Sequence, residues 1–388
     1  MSAFGYGDFL NQRLNERTEQ DALRTLLPAN SELVDFSSND YLGISRSQKL
    51  HDTIAAEYDL VLKSGEFRWN GSGGSRLLNG DSAVAHLTEK FLADFFGSES
   101  ALIFNSGYTA NVALMSALPS RTSTVLYDEK IHASIRDGIR MNGCRAWSFR
   151  HNDLKHLEEL LSKCTNEIWV VTESVYSMDG DSSDATALAD LCELYNAALI
   201  VDEAHSGGIY GEQGKGWCVE NGIENRVFAR LFTFGKAYGV HGAAVCGSET
   251  LRKYLVNFAR PFIYSTALPV RDVIAIREAV KYASHSGNEK SKLKKLIEYF
   301  RTLHKTSGCP YPLTDSDSPI QSVIVPGNSK VRELSTLCLR ESIDVRAVLA
   351  PTVEQGAERL RVILHSFNTE AQVNYLMSVL IKSNADHR

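Results

Sequence analysis

The chain has 388 residues, with 41 Lys and Arg against 47 Asp and Glu, a net charge of −6, 43% hydrophobic residues and 23% charged ones. That length predicts two packed domains rather than one core, and the acidic balance gives no electrostatic reason to expect nucleic acid as a partner. No stretch approaches the ~18 apolar residues of a membrane span, and Met1 to Asp8 lacks the basic-then-apolar pattern of an export signal, so a cytoplasmic protein is expected.

Residues up to about 30 are polar and rich in helix formers, and an amphipathic helix is expected there. A strand-like Leu33-Val34-Asp35-Phe36 and a turn-rich Ser37 to Gly43 follow. His86 to Phe96 places Leu87, Phe91 and Phe95 on one helical face, and Gly97 supplies a stop. Six short apolar runs come next: Ala101–Phe104, Thr124–Tyr127, Ile168–Thr172, Ala198–Val201, Leu231–Phe234 and Ala243–Cys246. Between two of them, Ala185 to Tyr195 has helical periodicity. Runs that do not alternate suit strands covered on both faces, and helices between them predict a largely parallel α/β sheet. Cys309 to Pro319 reads as a surface connection. Beyond it, Ile320–Val325, Lys330–Glu341, Val345–Leu349 and Leu360–Leu364 predict a small α+β domain. The expected organisation is an N-terminal helical arm (1–45), a large α/β domain (46–270) and a C-terminal α+β domain (271–388). Seven scattered cysteines without a CxxC pair predict reduced, mostly buried thiols.

In a parallel sheet ligands bind beyond the carboxyl ends of the strands, so the residues after each run carry the chemistry. Ile200-Val201-Asp202-Glu203-Ala204-His205 puts two carboxylates and a histidine at one such end. Two readings fit: a helix cap with solvated acids, or a buried Asp202 that requires a cation. Leu231 to Gly242 holds Lys236 among three glycines, either as a surface lysine or as an amine whose pKa falls near low dielectric. Phe104-Asn105-Ser106-Gly107-Tyr108-Thr109-Ala110-Asn111 is a strand, a Gly turn and a helix start, where free N–H groups can cradle phosphate. His132 follows another strand, as a ring-stacking or a structural imidazole. Phosphate turn, lysine and carboxylate together answer the needs of one ring that carries a phosphate, an aldehyde and a pyridine nitrogen.

At this point the sequence resembles the α-oxoamine synthases of the fold-type I pyridoxal-phosphate (PLP) enzymes, from about Asp21 to Leu364. The motifs are Phe36-Ser37-Ser38-Asn39-Asp40-Tyr41-Leu42-Gly43, Gly71-Ser72-Gly73-Gly74-Ser75-Arg76, Ser177-Met178-Asp179-Gly180-Asp181-Ser182, Val201-Asp202-Glu203-Ala204-His205 and Thr233-Phe234-Gly235-Lys236. The resemblance implies a large, mostly parallel-sheet domain with a small C-terminal α+β domain. It also implies that Lys236 holds PLP as a Schiff base and shuttles protons, Asp202 pairs with the pyridinium nitrogen, and His205 bonds the phenolic oxygen. By the same carry-over His132 stacks on the ring, Ser177 contacts the cofactor, and Gly107, Tyr108 and Thr233 support the phosphate. Arg361 holds the amino-acid carboxylate, and Ser265 and Thr266 reach the site of a second subunit in a homodimer.

Within the family, Arg24 and Pro351-Thr352-Val353 match the member that condenses L-alanine with pimeloyl-CoA or pimeloyl-acyl carrier protein in biotin biosynthesis. Arg24, Asn39, Ser75, Thr352 and Arg361 are the substrate-binding expectations. Glu203 stands where that member often has aspartate. Rival readings are acyl transfer to glycine or serine, and a non-catalytic protein that keeps the fold and cofactor. The histidines lack HxxxH or HxH spacing, and no metal is expected.

Overall fold

The computed structural model describes residues 6–66 and 68–383. They form two compact units. One contains Asn39–Ser177 and Ser182–Ser291; the other gathers the described residues up to Ser38, Met178–Asp181 and those from Lys292 onward.

The first unit is built on a seven-stranded sheet: β1 (Ser100–Phe104), β2 (Thr124–Asp128), β3 (Arg145–Phe149), β4 (Ile168–Glu173), β5 (Ala198–Asp202), β6 (Ala229–Thr233) and β7 (Ala243–Gly247). Its order is β1-β7-β6-β5-β4-β2-β3. Strand β7 runs antiparallel to both neighbours, and the other pairings are parallel. The six predicted apolar runs are all strands of this sheet. Every residue of β1 and β4 is buried, because the two faces feed separate cores. Trp169, Val171 and Ile200 pack with Leu114, Ile135 and Ile139 on one side. Ile168, Val170, Leu199 and Val201 pack with Leu157, Leu161, Leu188 and Cys192 on the other. The unpredicted strand is β3, an edge whose Arg-Ala-Trp-Ser-Phe leaves only Phe149 buried; an edge open to solvent on one face needs no apolar run.

The expected helical face of Leu87, Phe91 and Phe95 is corrected. The helix Ala83–Phe96 buries Val84, Ala85, Thr88, Glu89, Leu92, Ala93 and Phe96, and Leu87 is 61% exposed. A buried polar knot sets the rotation. Glu89 pairs with Arg76 at 2.6 Å and Arg252 at 3.1 Å, and takes the Ile103 N–H at 3.1 Å. A buried carboxylate needs these partners, and they outweigh three aromatic or aliphatic side chains.

The helices Gly107–Ala117 and Ala133–Asn142 cross closely at Gly138, where an added Cβ would lie 2.6 Å from Met115 Cβ and 3.1 Å from Val112 Cα. Gly138→Ala is therefore expected to destabilise the protein by about 1–3 kcal/mol through overpacking. Urea unfolding that matches wild type would contradict this reading of the contact.

In the second unit, Arg359–Ile363 lies between Arg346–Val348 and Ile320–Ile324 in a three-stranded antiparallel sheet. Val34–Asp35 pairs in parallel with Ile343–Asp344. Helices Asn328–Arg340 and Glu370–Lys382 contribute buried Val331, Leu334, Cys338, Val373, Leu376 and Leu380. This is the strand-helix-strand-strand pattern expected of the C-terminal region. The segment before Ile320 is not merely a surface connection: Ser316 and Ser318 are each 2% exposed, and Ser316 Oγ donates to Gly180 O at 2.8 Å. Helix Tyr6–Glu19 is present and buries none of its residues. All seven cysteines are free, four of them buried. Among the described residues no helix is long and apolar enough to cross a membrane.

Candidate active site

Strands β1, β2, β4, β5 and β6 share one direction, so their carboxyl ends and the residues after them lie on one edge of the sheet. Lys236 follows β6 and His205 follows the neighbouring β5. Lys236 Nζ lies 2.7 Å from His205 Nε2. His205 Nδ1 lies 2.6 Å from the Tyr41 hydroxyl, which donates to Asn39 Oδ1 at 3.2 Å. An ammonium can only donate, so opposite a charged Lys236 Nε2 accepts, Nδ1 carries the ring proton and the Tyr41 oxygen accepts it. His205 is 4% exposed and Tyr41 is 0% exposed, so this line of donors is held by packing as well as by hydrogen bonds.

The adjoining carboxylate is Asp202, 5% exposed at the end of β5. Asn111 Nδ2 donates to its Oδ2 at 2.7 Å, and the Ala204 N–H donates to Oδ1 at 2.9 Å. Both donors are neutral. A buried anion satisfied by neutral donors retains its demand for a positive charge. Glu203, its neighbour in sequence, is separate from this group. Its carboxylate takes the N–H groups of Trp217 at 2.6 Å and Cys218 at 3.1 Å and a hydrogen bond from Ser206 Oγ, which fastens the short helix Trp217–Glu220. The two acids of the cluster thus divide: one caps a helix and one faces the site.

From Asp202 the hydrogen bonds continue. Asn111 Nδ2 also donates to Ser134 Oγ at 3.1 Å, which lies 2.7 Å from His132 Nδ1. The His132 ring is open to solvent on one side. Loss of water on its inner side, with repulsion from Lys236, holds its pKa below the ordinary imidazole value. His132 is therefore neutral at pH 7. Tyr108 meets it edge-on, with centroids 6.5 Å apart at 81°.

The expected phosphate turn has the required form. Ser106 caps the helix Gly107–Ala117 by accepting the Thr109 N–H. Helix geometry leaves the N–H groups of Gly107 and Tyr108 without intrahelical acceptors. A Cβ at Gly107 would lie 3.3 Å from Thr233 Cβ, so Thr233 at the end of β6 stands against the turn. A backbone cradle, a hydroxyl, an amine and a carboxylate whose hydrogen-bond donors are all neutral are the set of groups that PLP needs.

Other expected site residues fall as follows. Ser177 lies four residues beyond β4 and is partly exposed. Ser265 and Ser75 are partly exposed and buried respectively, and Thr266 is exposed. The segment around them is tied down: Asn105 Nδ2 donates to Thr266 O at 2.8 Å, and the Ala267 N–H to Gly74 O at 2.9 Å. Arg24, Thr352 and Arg361 belong to the second unit. There Arg24 Nη2 donates to Thr352 Oγ1 at 2.8 Å, and Arg361 is on the central strand, opposite Ser322 and Arg346. Sequence reading did not single out Tyr41, Asn111, Ser134 or Glu173. All four lie inside or beside motifs already quoted, but their roles depend on which loops meet.

Comparison with known proteins agrees with this geometry. The model of the family "Aminotransferase class I and II" matches residues 31–380. A protein named 8-amino-7-oxononanoate synthase from Emericella nidulans is 36% identical over 397 residues, covering 96% of this chain and 94% of that one. One of the same name from Cellvibrio japonicus is 38% identical over 347 residues, covering 89% and 85%. The chain belongs to the class I and II aminotransferase family, among the 8-amino-7-oxononanoate synthases. A solved structure of SPT with PLP superposes with a TM-score of 0.88 at 23% identity, covering 100% of this chain and 99% of that one. The fold is accordingly that of the fold-type I transferases, as the motifs led one to expect.

Proposed function

We infer that the protein is a PLP-dependent acyltransferase that condenses L-alanine with a pimeloyl thioester to give 8-amino-7-oxononanoate, CO2 and a free thiol, the reaction of biotin biosynthesis. The cofactor part of this reading is carried by the Lys236–His205–Tyr41 line beside a buried carboxylate satisfied by neutral donors, and the substrates follow from the relatives named above. Bound PLP supplies an electron sink for the Cα of the amino acid. The chain's residues do the rest. Lys236 Nζ is the amine that holds the cofactor and moves the Cα proton, with His205 Nε2 as its hydrogen-bond acceptor. Asp202 would pair with the ring nitrogen and hold its proton. The Gly107 and Tyr108 N–H groups with Thr233 take the phosphate, and His132 covers the ring. Ser177 adds a polar contact to the cofactor.

Arg361 holds the alanine carboxylate, a task suited to a guanidinium, and Asn39, Ser75, Arg24 and Thr352 serve the two substrates. The enzyme works in the cytoplasm as a homodimer, with Ser265 and Thr266 reaching the partner's site. Pimeloyl-CoA and pimeloyl-acyl carrier protein both present the required thioester.

The test is product analysis by mass spectrometry. Protein loaded with PLP is mixed with pimeloyl-CoA and, separately, alanine, glycine or serine. An alanine-dependent amino-oxononanoate with release of CoA is expected. Condensation only with glycine or serine would keep the enzyme class and overturn the substrate. No change of the cofactor spectrum with any amino acid would overturn the enzyme reading.

A further inference from the structure

Glu173 ends β4 directly opposite Asp202 at the end of β5. Paired positions on neighbouring strands send their side chains to the same face. Glu173 is 3% exposed and Asp202 5%, so two carboxyls stand side by side away from water. The backbone N–H groups of His132 and Ser177 lie toward the Glu173 carboxyl and favour its charged form, against burial and Asp202; they belong to the two residues that this edge offers to the cofactor from β2 and β4. Its Oε1 has no hydrogen-bond partner among the described residues.

The charged and titratable groups that face it are Asp202 on β5, Lys236 beyond β6 and His132 beyond β2, with the neutral phenol of Tyr176 nearby. Two carboxylates and one ammonium cannot all be charged here without a net buried anion, so one carboxyl retains a proton. Asp202 has a donor on each oxygen. Glu173 has an oxygen with none, which is where a proton can sit. Burial and the neighbouring Asp202 push the Glu173 carboxyl up to about 8, in the same direction as the geometry.

We propose that Glu173 is a positioning residue that works as a neutral acid: it fastens His132 and Ser177 to the end of β4 and leaves Asp202 as the single carboxylate of the cofactor site. The proposal rests on the cofactor reading above. It separates two properties, the carbonyl oxygen that takes the N–H groups and the charge that must be absent. Glutamine keeps both the acceptor and the neutrality, whereas alanine keeps only the neutrality.

The experiment titrates cofactor-free wild type, Glu173→Gln and Glu173→Ala with PLP at pH 7, following the cofactor absorbance. Glu173→Gln is expected to bind within about threefold of wild type, and Glu173→Ala about tenfold to a hundredfold more weakly, the loss of one or two buried hydrogen bonds. Infrared spectra of cofactor-free wild type, titrated upward from pH 6, are expected to hold a protonated-carboxyl C=O band that disappears as the pH passes about 8. This second measurement needs no variant to fold. Binding by Glu173→Gln as weak as by Glu173→Ala would mean that the charge matters, and would overturn the proposal. Binding by Glu173→Ala equal to wild type would overturn the positioning role, and carboxylate bands alone at pH 6–7 would overturn the neutral acid. Normal PLP uptake by wild type in any of these cases leaves the cofactor reading standing. No uptake by wild type overturns that reading and this proposal with it.

Discussion

Lys236→Ala is expected to lower turnover by about 10⁴-fold, the upper end of what one positioned acid–base group supplies, because the same amine also holds the cofactor. The loss should be chemical rather than structural. Lys236 is only partly buried, and its Nζ meets His205, which retains Tyr41 on its other nitrogen. The relay His205–Tyr41–Asn39 therefore survives the substitution, as does the Asp202–Asn111 pair. Thermal unfolding of the cofactor-free variant should match wild type. Borohydride reduction of the PLP-loaded wild type, followed by peptide mapping, should place a cofactor adduct on the peptide that contains Lys236, and the variant should carry none. A small added amine should restore part of the activity, since what is missing is a base at one point. Wild-type turnover by Lys236→Ala without an added amine would remove Lys236 from the mechanism.

Much of this arrangement was legible in the chain because a strand buried on both faces must be apolar along its length. Six runs of that kind became strands, and the polar residues just past them, Lys236, Asp202, His205 and His132, came to one edge. The mostly uncovered Arg145–Phe149 strand was not legible, since an edge strand has no such requirement. The face of the Ala83–Phe96 helix was misread for a related reason. Hydrophobic periodicity weighs Leu87, Phe91 and Phe95, but the rotation follows the buried Glu89 and its two arginines, a knot made across more than 160 residues. The division of labour between Asp202 and Glu203 also depends on distance in sequence. Nothing in Val-Asp-Glu-Ala-His tells which acid a helix start 14 residues away will claim. Asn111 and Tyr41 follow the same rule: each sits in a quoted motif, but what it supports is decided by the tertiary approach of a second loop.

The Asp202→Asn variant should be nearly as damaging as Lys236→Ala, by a different route. An amide at this position removes the anion and also conflicts with its neighbours. Asn111 donates to Oδ2 and Ala204 to Oδ1, so the new NH2 sets a donor against the Ala204 N–H on one side and requires the Asn111 amide to turn over on the other. Breaking a buried charge pair costs about 3–5 kcal/mol, and at 1.4 kcal/mol per factor of ten PLP affinity should fall by roughly 10² to 4 × 10³-fold. Turnover should fall with it, because a ring nitrogen without its carboxylate loses its proton and withdraws electrons less. The neighbouring carboxyl makes the effect depend on pH. Removing the Asp202 charge removes one of the two causes that hold Glu173 high; burial remains. The Glu173 carboxyl of this variant should therefore ionise at lower pH than in wild type and offer a partial substitute anion as the pH rises. PLP affinity of Asp202→Asn is expected to recover in part between pH 7 and about 9, and the double variant Asp202→Asn/Glu173→Gln should show no such recovery. Titration of both with PLP across that range decides the point: equal curves would mean that Glu173 does not serve as a substitute anion, and wild-type affinity in Asp202→Asn at pH 7 would remove Asp202 from the cofactor site.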